Sequence, residues 1–101
     1  MAFDMFAGDH HESIGHHEDF LLGLVEDDRA RYPQLVSLRD AFYASPRISP
    51  CQAGALVHEL IDLLSSNGGI ANKALARIVV RLLPFFSRAY KNEHAIVCRS
   101  D

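Results

Sequence analysis

The sequence predicts an α+β fold that is predominantly helical, with about four helices packed on a small antiparallel sheet joining strands from the two ends of the chain. Three observations predict it. Apolar residues recur at helical spacing through most of residues 17–91. Short strand-like runs lie only near the ends, at residues 1–8 and 94–99. At 101 residues the chain is long enough for one hydrophobic core and too short for two, so a single domain over residues 1–101 is expected.

Residues 1–8 (MAFDMFAG) are rich in Phe, alternate in character and end at Gly8, which predicts a strand stopped by a turn. A second, shorter strand is expected at residues 13–15, and a third at residues 94–99 (HAIVCR), where β-branched residues alternate. Phe20, Leu21, Leu24 and Val25 predict a helix over residues 17–29. Pro33 opens a second helix with Leu35, Leu38 and Phe42 on one side, and a loop follows at residues 44–50 (ASPRISP). Ser49, Pro50 and Gln52 form the clearest helix start in the chain, an N-cap, a first-turn proline and a capping-box partner. The helix they open carries the stripe Ala53, Leu56, Val57, Leu60, Ile61 and Leu64 and stops at SSNGG, residues 65–69. The last helix is expected over residues 70–91, with Ala71, Leu75, Ile78, Leu82, Phe85 and Ala89 inward and Pro84 bending it. Leu63, Val79, Phe86 and Tyr90 flank these stripes and would offer a surface to a second copy of the chain.

With 49% hydrophobic and 23% charged residues, the composition excludes the low-hydrophobicity class of disordered chains. The most apolar run, residues 78–86, contains Arg81 and Pro84 and is about half of the roughly 20 residues that span a bilayer, so no membrane segment is expected. Asp4 and Asp9 interrupt any secretory signal, and the two cysteines, Cys51 and Cys98, form no CxxC pair. Both features point to the cytoplasm. Cys98 alternates with Ile96 as a small core residue, whereas Cys51 lies in the first turn of a helix, where backbone N–H groups can stabilise a thiolate, but with no basic partner nearby it reads as a partly buried cysteine beside a cap.

The net charge of −3 hides an asymmetry: residues 1–28 carry eight carboxylates and no Lys or Arg, while residues 70–101 are net +4. The two ends should attract each other. On the last helix Lys73, Arg77, Arg81, Arg88 and Lys91 fall within a sector of roughly 80° at 100° per residue, a cationic stripe. The acidic start of the chain would repel phosphate, so nucleic acid is not the expected partner.

The stretch GDHHESIGHHED, residues 8–19, holds two histidine pairs among acidic residues. His10, His11, His16 and His17 are candidate ligands for zinc or another transition metal if ESIG makes a tight turn, with His58 as a further ligand. Adjacent histidines on a strand point to opposite faces, which makes a four-histidine site from this segment awkward. HELID, residues 58–62, starts like the HExxH zinc helix but places Asp62 where the second histidine belongs, and His58 with Asp62 reads as an exposed i, i+4 pair. The neighbouring carboxylates would favour protonated imidazoles, so a pH-dependent patch is a further reading of the segment. No GxSxG, GxGxxG or P-loop is present, which ranks an enzyme below a binding module.

The opening MAFDMFAGD, the helix pair, the loop RISP leading into QAGALVHELIDLL and the last helix running into a strand resemble small bacterial proteins of the immunity type found in polymorphic toxin systems. That resemblance implies a compact α+β protein that binds another protein and turns over no substrate. The expected function is a cytoplasmic protein-binding module that meets a basic partner through Glu18, Asp19, Asp27 and Asp28, with Arg47 from the loop at residues 44–50. It requires no cofactor. The alternatives are a metal-binding protein or metal-dependent enzyme using the histidines named above, and a homo-oligomeric structural protein.

Overall fold

The computed structural model describes residues 2–15, 18 and 20–100. Its strands are β1 (Ala2–Ala7), β2 (His10–Gly15), β3 (Arg47–Ile48) and β4 (Ile96–Ser100), and its helices are α1 (Phe20–Gly23), α2 (Pro33–Asp40), α3 (Pro50–Ser66) and α4 (Lys73–Lys91). The strands form one antiparallel sheet in the order β2-β1-β4-β3, so strands from the two ends of the chain lie side by side at its centre. The fold is α+β, four helices on a small antiparallel sheet, as the sequence predicts.

Alternation decides which sheet face is buried. Phe3, Met5 and Ala7 of β1, Ile14 of β2, Ile48 of β3 and Ile96 and Cys98 of β4 all enter the core. Phe6 and Val97, a cross-strand pair, remain 38% and 44% exposed on the opposite face. The β1–β2 turn is the two-residue loop Gly8–Asp9, which pairs Ala7 with His10. Gly8 sits at φ +59°, a conformation that costs glycine least, and a Cβ there would meet the His94 ring at 3.1 Å. The turn therefore falls earlier than ESIG. The second strand is six residues long, beginning at His10, because the histidines pair with Ala7 and Phe6 across the hairpin. A fourth strand, β3, lies inside the expected loop 44–50. Ile48 pairs with Ile96 and is buried, and Pro46 accepts the Cys98 N–H at 3.1 Å, but two residues are too few to show a period in the sequence.

The first helical segment is shorter than expected. One α-turn, Phe20–Gly23, passes into a 3₁₀ segment, Leu24–Asp28. Gly23 is a poor helix former, and three consecutive carboxylates at the C-terminal end oppose the helix dipole. α2 ends at Asp40 and is followed by a 3₁₀ turn, Phe42–Ala44, after which Ser45 adopts φ +50° ahead of Pro46. No side chain near its own N-terminus caps α2. The cap arrives from α3 instead: the buried carboxylate of Glu59 accepts the N–H groups of Gln34 and Leu35 at 2.9–3.0 Å.

α3 starts as its sequence dictates, with Gln52 N–H donating to Ser49 Oγ at 3.1 Å and Ser49 N–H donating to Gln52 Oε1 at 2.9 Å. Its inward face is rotated from the expected stripe: Ile61 is 50% exposed, while Leu63 is fully buried and Glu59 points inward to α2. α4 begins at Lys73, where Asn72 Oδ1 accepts the Leu75 N–H at 3.3 Å, and continues through Pro84 to Lys91. It ends in a Schellman motif, with His94 N–H donating to Ala89 O (2.9 Å), Glu93 N–H to Tyr90 O (3.3 Å), and Glu93 at φ +55°.

The flank residues read as a dimer surface are mostly core. Leu63, Val79 and Phe86 are buried and only Tyr90 is exposed, because α3 and α4 pack against each other and the sheet over a wider arc than a single stripe. Ala71, expected inward, lies exposed in the 3₁₀ turn Gly69–Ala71 that precedes α4.

Candidate functional site

The acidic start of the chain and the cationic stripe of α4 do meet, at the outer edge of β2. Arg81 Nε donates to Glu12 Oε1 at 2.8 Å, while Nη1 and Nη2 donate to the two oxygens of Glu18 at 2.8 and 2.9 Å. Nη2 also donates to the carbonyl of Ser13 at 2.6 Å. The same carboxylates accept backbone donors of the strand, Ser13 N–H on Glu12 at 3.1 Å and Gly15 N–H on Glu18 at 2.9 Å. Hydrogen bonds to Glu18, with the charges of Glu18 and Glu12, hold the Arg81 guanidinium above its usual pKa against the opposing effect of partial burial. Three edge groups of β2 are thus satisfied by side chains, which blunts an edge that would otherwise pair with another strand. Glu18, expected to face a partner, instead helps to close this clamp.

The histidines separate as strand geometry requires. His10 turns toward α4, its ring 3.2 Å from Arg88 Nη1. His11 lies on the opposite face, stacked on Phe6 with centroids 4.6 Å apart and 3.1 Å from Asp4 Oδ1. His16, His17 and Asp19 lie outside the described residues. His58 lines a trough between α3 and α4, away from the hairpin, and it does not pair with Asp62. Both oxygens of Asp62 accept from Arg31 at 2.6 Å, because the tertiary fold brings a cation nearer than the i−4 neighbour. Among the described residues no group of three or more His, Cys, Asp or Glu side chains is placed to hold a metal ion.

A different surface gathers the features of a recognition site. An open groove of about 580 Å³ runs between α1 and the end of α2, lined by Phe20, Leu22 and Gly23 on one side and by Arg39, Asp40, Phe42 and Tyr43 on the other. Phe42 is held from beneath by Phe3, whose ring is stacked on it at 4.7 Å, and Tyr43 stands edge-on to Phe42 at 5.2 Å. Phe20 is 39% and Tyr43 69% exposed. The charged rim is fixed by an alternating chain. Arg39 and Arg29 both donate to Glu26, at 2.6 and 2.7 Å, and Arg29 reaches Asp40 at 3.1 Å. Asp27 and Asp28 lie beside this chain, exposed, and take part in no ion pair among the described residues.

Arg47 is exposed on β3, opposite Val97, and lines a separate small recess with Pro46 and Gln52. Sequence reasoning missed Phe20, Arg39 and Tyr43 as site residues. The available signal was the adjacent pair Phe42–Tyr43: neighbours on a helical turn lie about 100° apart, so the second ring is directed well away from the first. No described helix is long and apolar enough to cross a membrane. In comparisons with protein-family models, with curated proteins and with solved structures, nothing matches the chain.

Proposed function

We propose that the chain is a protein-binding module, of the immunity-like kind, that takes a basic partner on the groove between α1 and α2. The observation that carries this reading is the set of exposed aromatics, Phe20 and Tyr43 with half-buried Phe42, beside Arg39 in one pre-organised groove. Aromatic residues and arginine are the side chains that dominate binding energy at protein interfaces, and a rigid platform loses little entropy when it is covered. Asp27 and Asp28, exposed and next in the chain to Glu26, supply a negative potential that steers a cationic surface toward this side of the molecule. Two free thiols, Cys51 and Cys98, suit a cytoplasmic setting.

The test compares the whole chain with Tyr43→Ala, with the double change Asp27→Asn and Asp28→Asn, and with Lys73→Gln as a control on a remote surface. Proteins retained from a lysate of the source cells by the immobilised wild-type chain are identified, and their binding is then measured with purified components. Tyr43→Ala should weaken binding by roughly 30-fold, the size of a hot-spot loss. The double change should slow association most at low salt. A partner that binds the Tyr43→Ala and Lys73→Gln chains equally well would place the contact elsewhere and sink the proposal.

A further inference from the structure

We propose that the trough between α3 and α4 is a binding site for a small organic anion with a flat apolar body. The first half of α3 supplies Cys51, Gly54 and His58, the last turn of α4 supplies Tyr90 and Lys91, and together they line an open trough of about 470 Å³. That volume lies in the range of small-molecule sites. Residue 54 has no side chain, and a Cβ there would come within 2.6 Å of the Tyr90 ring, so the ring rests against bare backbone at the trough wall. Tyr90 is still 55% exposed, which leaves ring surface for a flat ligand to cover.

Charge selects the sign of that ligand. Lys91 and His58 line the trough, and Lys91 continues with Arg88 and Asn92 into an adjoining shallow recess. Among the described residues no Asp or Glu lines either space, although the chain as a whole is net −3. An apolar floor ending in a cationic lip fits a molecule with an aromatic or alicyclic body and a terminal carboxylate, sulfonate or phosphate. The site lies apart from the groove between α1 and α2 and shares no lining residue with it.

The trough carries its own reporter, since Cys51 is exposed and the other thiol, Cys98, is buried. The probe is 8-anilinonaphthalene-1-sulfonate, titrated by fluorescence against the full native chain, with the rate of Cys51 alkylation by iodoacetamide followed by mass spectrometry. One probe should bind per chain and slow Cys51 alkylation about tenfold at saturation, and Lys91→Gln and Tyr90→Ala should each weaken it about tenfold while Lys73→Gln leaves it unchanged. Lys91 and Tyr90 are exposed, so both variants are expected to fold, which circular dichroism checks. Three results would overturn the proposal. The probe could leave Cys51 alkylation unaffected. The neutral analogue N-phenyl-1-naphthylamine could bind as tightly. Cys51 could be protected in the ligand-free chain at a dimeric mass, in which case a second copy covers the trough.

Discussion

Replacing Glu59 with Ala removes the side chain that caps α2. The carboxylate accepts from Gln34 N–H at 3.0 Å and from Leu35 N–H at 2.9 Å, and Tyr32 at the N-cap makes no side-chain cap of its own. An unsatisfied buried donor costs about 1–3 kcal/mol, with the half-exposed Gln34 at the low end and the buried Leu35 in the middle of the range. The lost interaction of a carboxylate with the helix N-terminus adds about 0.5–1 kcal/mol. The total is about 3.5–4 kcal/mol, which in a chain of this size lowers the melting temperature by roughly 20 °C. Glu59→Gln keeps an oxygen at the same place and should cost about 1 kcal/mol. Denaturant unfolding gives the free energies, and amide exchange localises them, since Gln34 and Leu35 should lose protection before the core of α3. A loss below about 1 kcal/mol for Glu59→Ala, with exchange at those two amides unchanged, would show that packing alone holds α2 and that the cap is incidental.

Other perturbations follow from the same geometry. Arg81→Met strips the cation from Glu12 and Glu18 and should destabilise the fold by about 2 kcal/mol at low salt, an amount discounted for partly exposed partners and smaller at high salt. The same variant frees the β2 edge, so light scattering should detect self-association absent in the wild type; a monomer of wild-type stability would refute the clamp. Glu93→Gly relieves a side chain from the left-handed position of the Schellman motif and should raise stability by about 0.5–1 kcal/mol in denaturant melts, whereas a loss would mean that the Glu93 side chain makes a favourable contact. Burial pushes the Cys98 thiol up to about 12 from its usual 9, so between those pH values the unfolded chain has released a proton that the folded chain retains. Stability is therefore whole below pH 9 and falls as pH rises toward 12, and urea melts at pH 8 and pH 10 should show the decline. At pH 8, Ellman's reagent should react with Cys51 at once and with Cys98 only at the rate of unfolding.

What the sequence by itself determined is whatever is encoded within a few residues. The capping box at Ser49 and Gln52, the periodic apolar residues of α3 and α4, the strand stopped at Gly8 and the strand near the C-terminus are local patterns, and each appears in the fold. The opposed faces of His10 and His11 follow from the two-residue period of a strand, and the attraction between the acidic start and the basic last helix follows from counting charges. Tertiary structure decided what depends on partners far along the chain. The cap on α2 comes from Glu59, 25 residues on, and the edge of β2 is closed by Arg81, 68 residues on. β3 exists because Ile48 can pair with Ile96, which no window of neighbouring residues contains. The same holds for the two surfaces on which function is proposed here. Phe3, at the start of the chain, stacks under Phe42 in the groove, and Tyr90, 36 residues on from Gly54, packs against its bare backbone at the trough wall. A residue's own type fixes what it can bond to, but burial and approach are set jointly by elements distant in sequence, and only the folded chain brings those elements together.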